Sequence, residues 1–199
     1  MFITFEGPEG AGKSSVIKVL AAELRAQGHD VTTTREPGAG EVGMKIREIL
    51  LHGGDIDAKT ELMLYLADRA EHVAKVIRPA LKVGKIVLCD RYTDSTVAYQ
   101  GSGREFSVTQ IRAFNRFVSG DLNPDLTFLL DIEPSLGLAR IKDKDRLDRE
   151  PLAFHERVRT CFLHEAENSP DRWFVIDAAQ PLDEVVAQCF EVVRSRMSS

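Results

Sequence analysis

Cysteine is scarce in this chain of 199 residues: Cys89, Cys161 and Cys189 are an odd number, widely spaced and without a C-x-x-C pair. Neither a disulfide framework nor a thiolate zinc site can be built from them, which points to a reducing compartment. Histidine is also sparse, at five residues. His155-Glu156 and His164-Glu165 each lack the second histidine that a helical zinc protease needs one turn later, so all five are expected at the surface or in packing. No apolar run approaches the ~18 residues of a membrane span. No basic leader precedes the first apolar stretch, so a cytoplasmic protein with no membrane partner is expected. Basic excess is missing too: 26 Lys and Arg stand against 31 Asp and Glu, a net charge of -5, which argues against nucleic acid as a partner but leaves room for small anions. Repeats and low-complexity segments are absent, and the length suits one core, so one domain over residues 1–199 is expected.

What is present is concentrated near the start. Gly7-Pro8-Glu9-Gly10-Ala11-Gly12-Lys13-Ser14 fits G-x-x-x-x-G-K-[ST] at every fixed position, and Ser15 follows it. Gly7, Gly10 and Gly12 let successive N–H groups turn inward around an anion. Lys13 brings a mobile positive charge to the β- and γ-phosphates of a triphosphate, and the Ser14 hydroxyl suits an octahedral Mg2+ shell. Phe2-Ile3-Thr4-Phe5 ahead of the loop predicts a short buried strand, while Val16, Ile17, Leu20 and Leu24 behind it recur at helical spacing. The N-terminus of that helix then points at the phosphates.

Downstream, Val31 to Thr34, Ile86 to Cys89, Leu126 to Leu130 and Trp173 to Ile176 predict further short buried strands. Helical patterns separate them. One runs from Glu41 to Leu51, and a more apolar one covers residues 57–83, where Pro79 should kink or break it. A capping box at Ser107 to Gln110 opens a helix to about Val118, Pro134 starts another, and others begin at Leu152 and Leu182. Strands alternating with helices imply a three-layer α/β/α sandwich around a five-stranded parallel sheet, with ligands beyond the carboxyl ends of the strands. The polar motifs fall at those ends: the loop after the first strand, Arg35-Glu36-Pro37-Gly38 after the second, Asp90-Arg91-Tyr92 after the third.

Asp90 stands where a carboxylate linked to Mg2+ belongs, and Arg91 beside it could hold a transferred phosphate; alone, the same residues also read as a helix cap with solvated neighbours. Taken together with Arg35-Glu36-Pro37-Gly38, Ala67-Asp68-Arg69, Ala98-Tyr99-Gln100-Gly101 and Arg146-Leu147-Asp148-Arg149-Glu150, the chain resembles the thymidylate kinases from Phe2 to at least Phe162. The resemblance implies a P-loop nucleoside monophosphate kinase fold with a short lid at about residues 142–150. It implies transfer of the γ-phosphate of ATP to dTMP, giving dTDP for dTTP synthesis, with Mg2+ as cofactor and a homodimer joined through apolar helices.

It also implies roles for individual residues. Residues 7–15 and Arg140 would bind ATP, Arg140 stacking near an adenine bordered by Asp177 to Gln180. Glu9 would approach the 3'-hydroxyl of dTMP, and Arg47 and Arg91 would hold its 5'-phosphate. Tyr65 would stack on thymine, with Arg69, Thr96 and Gln100 at the polar edge of the base and Tyr99 crowding the 2' position. Glu36 and Pro37 would line the same pocket. Ser14 and Asp90 would sit at Mg2+. Lys13, Arg91, Arg146 and Arg149 would be the catalytic cations, the last two from the lid because the variable positions of the phosphate loop contain no arginine. Where the family usually continues Arg-Glu-Pro-Gly with Gly-Thr, this chain has Ala39-Gly40, which alters any side-chain role at that tip.

Two other classes share some of these features. A deoxynucleoside kinase also combines such a loop with Glu-Pro after the second strand, and there Glu36 would take a proton from the substrate hydroxyl. A nucleotide-binding sensor could keep the loop without turnover, although Lys13, Ser14, Asp90 and the lid arginines argue against it. A GTPase would need an Asn-Lys-x-Asp motif, which is missing.

Overall fold

A computed structural model describes residues 1–197; the last two residues of the expected domain, Ser198 and Ser199, lie outside the described residues. The apolar runs form strands β1 (Phe2–Glu6), β2 (Val31–Arg35), β3 (Ile86–Asp90), β4 (Leu126–Asp131) and β5 (Trp173–Asp177). They pair in the order β2-β3-β1-β4-β5, every pair parallel. The crossover from β1 runs to one side of the sheet and that from β3 to the other, so a crevice opens between their carboxyl ends. β1 is buried along its whole length because helices cover both faces.

On one face, Ile3, Phe5, Leu88, Phe128 and Leu130 pack against Val16, Leu20 and Leu24 of α1 (Lys13–Ala26) and Val185, Val186 and Cys189 of α9 (Leu182–Met197). On the other, Phe2, Val87 and Cys89 meet Val73, Ile77 and Tyr92, while Leu129 and Trp173 meet Phe162 of α8 (Leu152–Asn168). Each such side chain withdrawn from water stabilises the fold by about 1.5–3 kcal/mol before entropy is charged against it. No helix among the described residues is long and apolar enough to cross a membrane.

Six further helices among the described residues complete the layers: α2 (Gly40–His52), α3 (Ala58–His72), α4 (Arg78–Lys82), α5 (Thr93–Thr96), α6 (Val108–Ser119) and α7 (Pro134–Ala139). Of these, α2, α3 and α5 supply residues that border the crevice. The expected break near Pro79 takes the form of a π-helical turn, Val73–Ile77, between α3 and α4. Pro79 has no N–H for the carbonyl four residues back, and the wider turn ahead of it accommodates that loss. A second π-helical segment, Val97–Gly103, continues α5 and was not legible as periodicity. It carries Tyr99 and Gln100.

Candidate active site

The phosphate loop is wedged against the sheet by its glycines. A Cβ on Gly7 (φ 138°) would stand 2.3 Å from the Leu130 carbonyl oxygen, and one on Gly10 (φ 70°) 2.0 Å from that of Gly137. The contact is reciprocal, since a Cβ on Gly137 would meet the Glu9 carbonyl oxygen at 2.2 Å. Gly137, in α7, is thus a seat for the loop that sequence reasoning missed; its only signal was a glycine just after a helix-starting proline. Lys13 donates to the carbonyls of Gly7 (3.0 Å) and Pro8 (2.9 Å). Burial and the nearby Arg91 charge bring its pKa down to about 8, with Glu9, Asp90 and Glu6 opposing the fall. Ser14 Oγ donates to Asp90 Oδ2 at 2.6 Å, and Arg140 at the outer rim reaches the Ala178 carbonyl (3.0 Å) and that of Gly10 (3.4 Å).

Facing the loop is a cavity of about 360 Å3 bordered by Glu9, Glu36, Pro37, Arg47, Tyr65, Arg69, Arg91, Thr96, Tyr99 and Gln100, all of the expected acceptor residues, and by Lys13, Ser14, Ser15 and Asp90. Arg91 joins the two halves. Its Nη1 reaches the Gly7 carbonyl and Ser95 Oγ (both 3.2 Å), and its guanidinium lies 4.8 Å from the Tyr99 ring centre. Its Nη2 is 2.7 Å from Glu9 Oε1 yet makes no hydrogen bond of good geometry, leaving a buried donor to be satisfied. Tyr99 donates its hydroxyl to Glu9 Oε1 at 2.7 Å. Burial alone would raise the Glu9 pKa, but Arg91, Lys13 and that hydroxyl outweigh it and hold it down at about 2.

Arg91 occupies the left-handed region (φ 68°), which costs a non-glycine residue about 1–3 kcal/mol and persists where neighbours over-determine it. Glu6 is the main fastener: fully buried at the end of β1, it accepts from the Tyr92 N–H (2.8 Å) and from Ser95 Oγ (2.5 Å). Burial, then Asp94, raises its pKa to about 7. An acid closing an otherwise apolar strand was the signal for it, and the sequence reading passed over it.

Arg69 is 1% exposed, and every nitrogen it has is engaged. Nε donates to Glu36 Oε2 (2.9 Å), Nη1 to Thr96 Oγ1 and Asn115 Oδ1 (both 2.7 Å), and Nη2 to the Tyr92 carbonyl (2.8 Å) while lying 2.8 Å from Glu36 Oε2. Because Thr96 accepts from Arg69, its own hydroxyl proton is left for another acceptor. The second Glu36 oxygen is taken by His72 Nδ1 at 2.8 Å, whose other ring nitrogen meets Thr34 Oγ1 at 2.7 Å. Glu36 therefore borders the cavity as a brace for Arg69, with neither oxygen open to a substrate hydroxyl. His72 is a working part of this network, beyond the packing role expected of the histidines. Arg47 lies half-buried with Nη1 on the Pro37 carbonyl (2.9 Å), and Arg35, not singled out by sequence, borders the same cavity. Burial and then Arg35 lower the Arg47 pKa.

Tyr65 borders the cavity and also packs on the cluster around Tyr99 and Phe154, so it is at once a wall of the cavity and part of the core. The lid arginines are not at the phosphate loop. Arg146 donates Nε to the Leu50 carbonyl (3.0 Å) and Nη2 to Glu61 Oε2 (2.5 Å), and Arg149 is exposed beside it, both lining a separate outer groove. Asp145 and Leu147 of the same segment do border the cavity. The segment is turned on itself, with Asp145 Oδ1 accepting from the N–H groups of Leu147 (2.8 Å) and Asp148 (3.0 Å). Arg146 thus rests on the buried carboxylate of Glu61. Ala39 gives α2 no side-chain cap, and Gly40 starts the helix at φ 70°.

No group of three or more Asp, Glu, His or Cys side chains able to hold a metal occurs among the described residues. Ser14 and Asp90 form an all-oxygen pair at the mouth of the loop, which fits a hard cation that draws its other ligands from phosphate and water.

The profile of a family described as thymidylate kinase matches residues 5–189. A thymidylate kinase of Desulfovibrio desulfuricans is 47% identical over 98% of this chain and 95% of its own, and one of Pseudomonas putida is 54% identical over 93% and 92%. The crystal structure of thymidylate kinase from Ehrlichia chaffeensis superposes with a TM-score of 0.81 at 33% identity, covering 97% of this chain and 98% of that one.

Proposed function

The chain belongs to the thymidylate kinase family, and on that premise we propose that it transfers the γ-phosphate of ATP to dTMP, releasing dTDP and ADP. The observation that carries the reading is Arg91, whose guanidinium touches the Gly7 carbonyl and Glu9 of the donor loop while bordering the acceptor cavity. A phosphate held there would lie next to the terminal phosphate of a triphosphate in the loop. An oxygen of the dTMP phosphate attacks γ-phosphorus and the bond to the β-phosphate oxygen breaks. Because the attacking oxygen is already ionised, no base has to remove a proton. That agrees with Glu36, the base a deoxynucleoside kinase would require, having both oxygens engaged by Arg69 and His72.

In this reading Lys13 and Arg91 stabilise charge on the transferring group, and Arg47 with Arg91 holds the acceptor phosphate. Arg146 and Arg149 join them only after the lid segment, residues 142–150, leaves Glu61. Ser14 and Asp90 would hold Mg2+, which supplies charge neutralisation at the phosphates. Tyr65 stacks on thymine, Thr96 and Gln100 meet its edge, and Arg140 flanks adenine. Phe117, 85% exposed on α6, with exposed Phe114 and with Met63 on α3, makes an apolar face suited to a second copy of the chain. One domain over residues 1–199 and a cytoplasmic setting complete the reading, the latter supported by three free thiols.

The test is a coupled ADP-release assay with ATP, Mg2+ and a panel of nucleosides and nucleoside monophosphates. dTMP should be phosphorylated and thymidine should not; turnover of thymidine in preference to dTMP would overturn the assignment.

A further inference from the structure

Glu61, on the first turn of α3, is fully buried and has no assigned part in the reaction. Its Oε1 accepts from Gln100 Nε2 (2.9 Å) and Arg104 Nε (3.3 Å), and its Oε2 from Arg104 Nη2 (3.2 Å) and Arg146 Nη2 (2.5 Å). An ionised carboxylate can only accept hydrogen bonds. The amide of Gln100 must therefore turn its NH2 toward Glu61, and its carbonyl Oε1, unpartnered among the described residues, is left for whatever occupies the cavity.

We propose that Glu61 is a specificity-determining positioning residue: by fixing the amide of Gln100 it makes that position of the cavity an obligatory acceptor, matched to a pyrimidine ring bearing N3–H and mismatched to cytosine, whose N3 is itself an acceptor. The inference rests on dTMP being the substrate. Thr96 complements it from the other side. Arg69 occupies an Oγ1 lone pair of Thr96 and leaves its proton to be donated, so the edge reads donor then acceptor, the complement of O4 and N3–H. Uracil carries the same pair of groups, so the device separates thymine and uracil from cytosine and not from each other.

The test compares kcat/KM for dTMP, dUMP and dCMP in the parent and in Glu61→Gln. Arg104 and Arg146 donate to position 61 and will claim the oxygen of the new amide, leaving its NH2 toward Gln100. Gln100 then inverts and presents NH2 to the ring. The dTMP/dCMP ratio should fall by about tenfold or more, carried by KM, because a donor now faces N3–H, while the dTMP/dUMP ratio holds. A purely structural loosening would lower all substrates together and leave both ratios in place, which would overturn the proposal. Glu61→Asp keeps the charge for both arginines but withdraws from Gln100; it should lower the dTMP/dCMP ratio in the same direction, and it carries the test if Glu61→Gln does not fold. A parent enzyme that phosphorylates neither dTMP nor dUMP would instead overturn the substrate reading.

Discussion

Arg47→Met is the sharpest probe of the acceptor phosphate site. Arg47 has one hydrogen bond, to the Pro37 carbonyl, and its other N–H groups have no hydrogen-bond partner among the described residues. Its stem passes over Gly38, where a Cβ would lie 2.7 Å from Arg47 Cδ. Methionine keeps most of that stem and removes the charge. Hydrogen bonds to a charged group contribute about 1.5–3 kcal/mol. At about 1.4 kcal/mol per decade the loss raises the KM for dTMP roughly 10- to 150-fold. The KM for ATP should not move, because Arg47 does not touch the phosphate loop, and kcat should fall far less than KM rises, since Arg91 remains beside the reacting phosphates. Folding stability should be nearly unchanged, because removing one of two neighbouring cations, Arg35 and Arg47, also removes a repulsion. The assay is ADP release with dTMP varied at saturating ATP, alongside a thermal melt. A dTMP KM within about twofold of the parent, in a protein that melts normally, would refute the assignment of the phosphate to this end of the cavity.

Lys13 carries a pH prediction. With its pKa lowered from 10.5 to about 8 by burial and Arg91, the folded state disfavours the proton, so the unliganded protein gains stability from this group as pH rises from about 8 towards 10.5. Triphosphate needs the charge, so kcat/KM for ATP should fall through pH about 8; a flat profile to pH 10 would remove Lys13 from the phosphates. Gly137→Ala puts a Cβ 2.2 Å from the Glu9 carbonyl oxygen, and the overpacking of about 1–3 kcal/mol must displace α7 or the loop. The KM for ATP should rise about tenfold while that for dTMP changes little, and an unchanged ATP KM would show the seat to be dispensable. Phe117→Glu places a charge on the face proposed for a second copy and should sediment as a monomer; equal sedimentation of parent and variant would move the interface elsewhere.

The sheet was legible because burial leaves a mark on composition, and each miss at its edges has the same cause. Every strand runs to a charged residue at its carboxyl end: Glu6, Arg35, Asp90, Asp131 and Asp177. Hydrophobic pattern sees a strand only as far as its buried side chains, whereas backbone pairing continues into the polar residues that face the site. The phosphate loop was legible because its chemistry needs residues that are adjacent in sequence. The networks of Glu36 with Arg69 and His72, and of Glu61, Gln100 and Arg146, were not: Glu36 follows β2 while its two partners sit on α3, the members of the second come from three separate segments, and they meet only when the chain folds. Periodicity likewise offered no sign of the π-helical segment that turns Tyr99 and Gln100 to the cavity. The motif around Arg146 suggested a lid, but its resting place on Glu61 depends on a carboxylate distant in sequence.

Lys13, Arg47, Arg91 and Arg146, four of the groups proposed to meet a phosphate, are each held here by an internal partner, and the partners are of two kinds. Lys13 and Arg47 rest on neutral carbonyls, those of Gly7, Pro8 and Pro37. Arg91 rests partly on a carboxylate, Glu9, and Arg146 wholly depends on another, Glu61, for its charge compensation. Exchanging a neutral carbonyl for a phosphate keeps the hydrogen bond and adds the attraction of an opposite charge. Exchanging a carboxylate for a phosphate gains little, because one opposite charge replaces another and the buried carboxylate loses one of its partners. The affinity for both nucleotides should therefore rest mainly on Lys13 and Arg47. Arg91 and Arg146 are better suited to respond to charge that develops during transfer, when the phosphoryl oxygens attract them more strongly than their resting carboxylates do. For Glu9 the exchange has its own consequence: as Arg91 turns to the phosphate, the influence that holds its pKa at about 2 weakens, and its carboxylate becomes free to accept from the 3'-hydroxyl that the proposed pose places beside it.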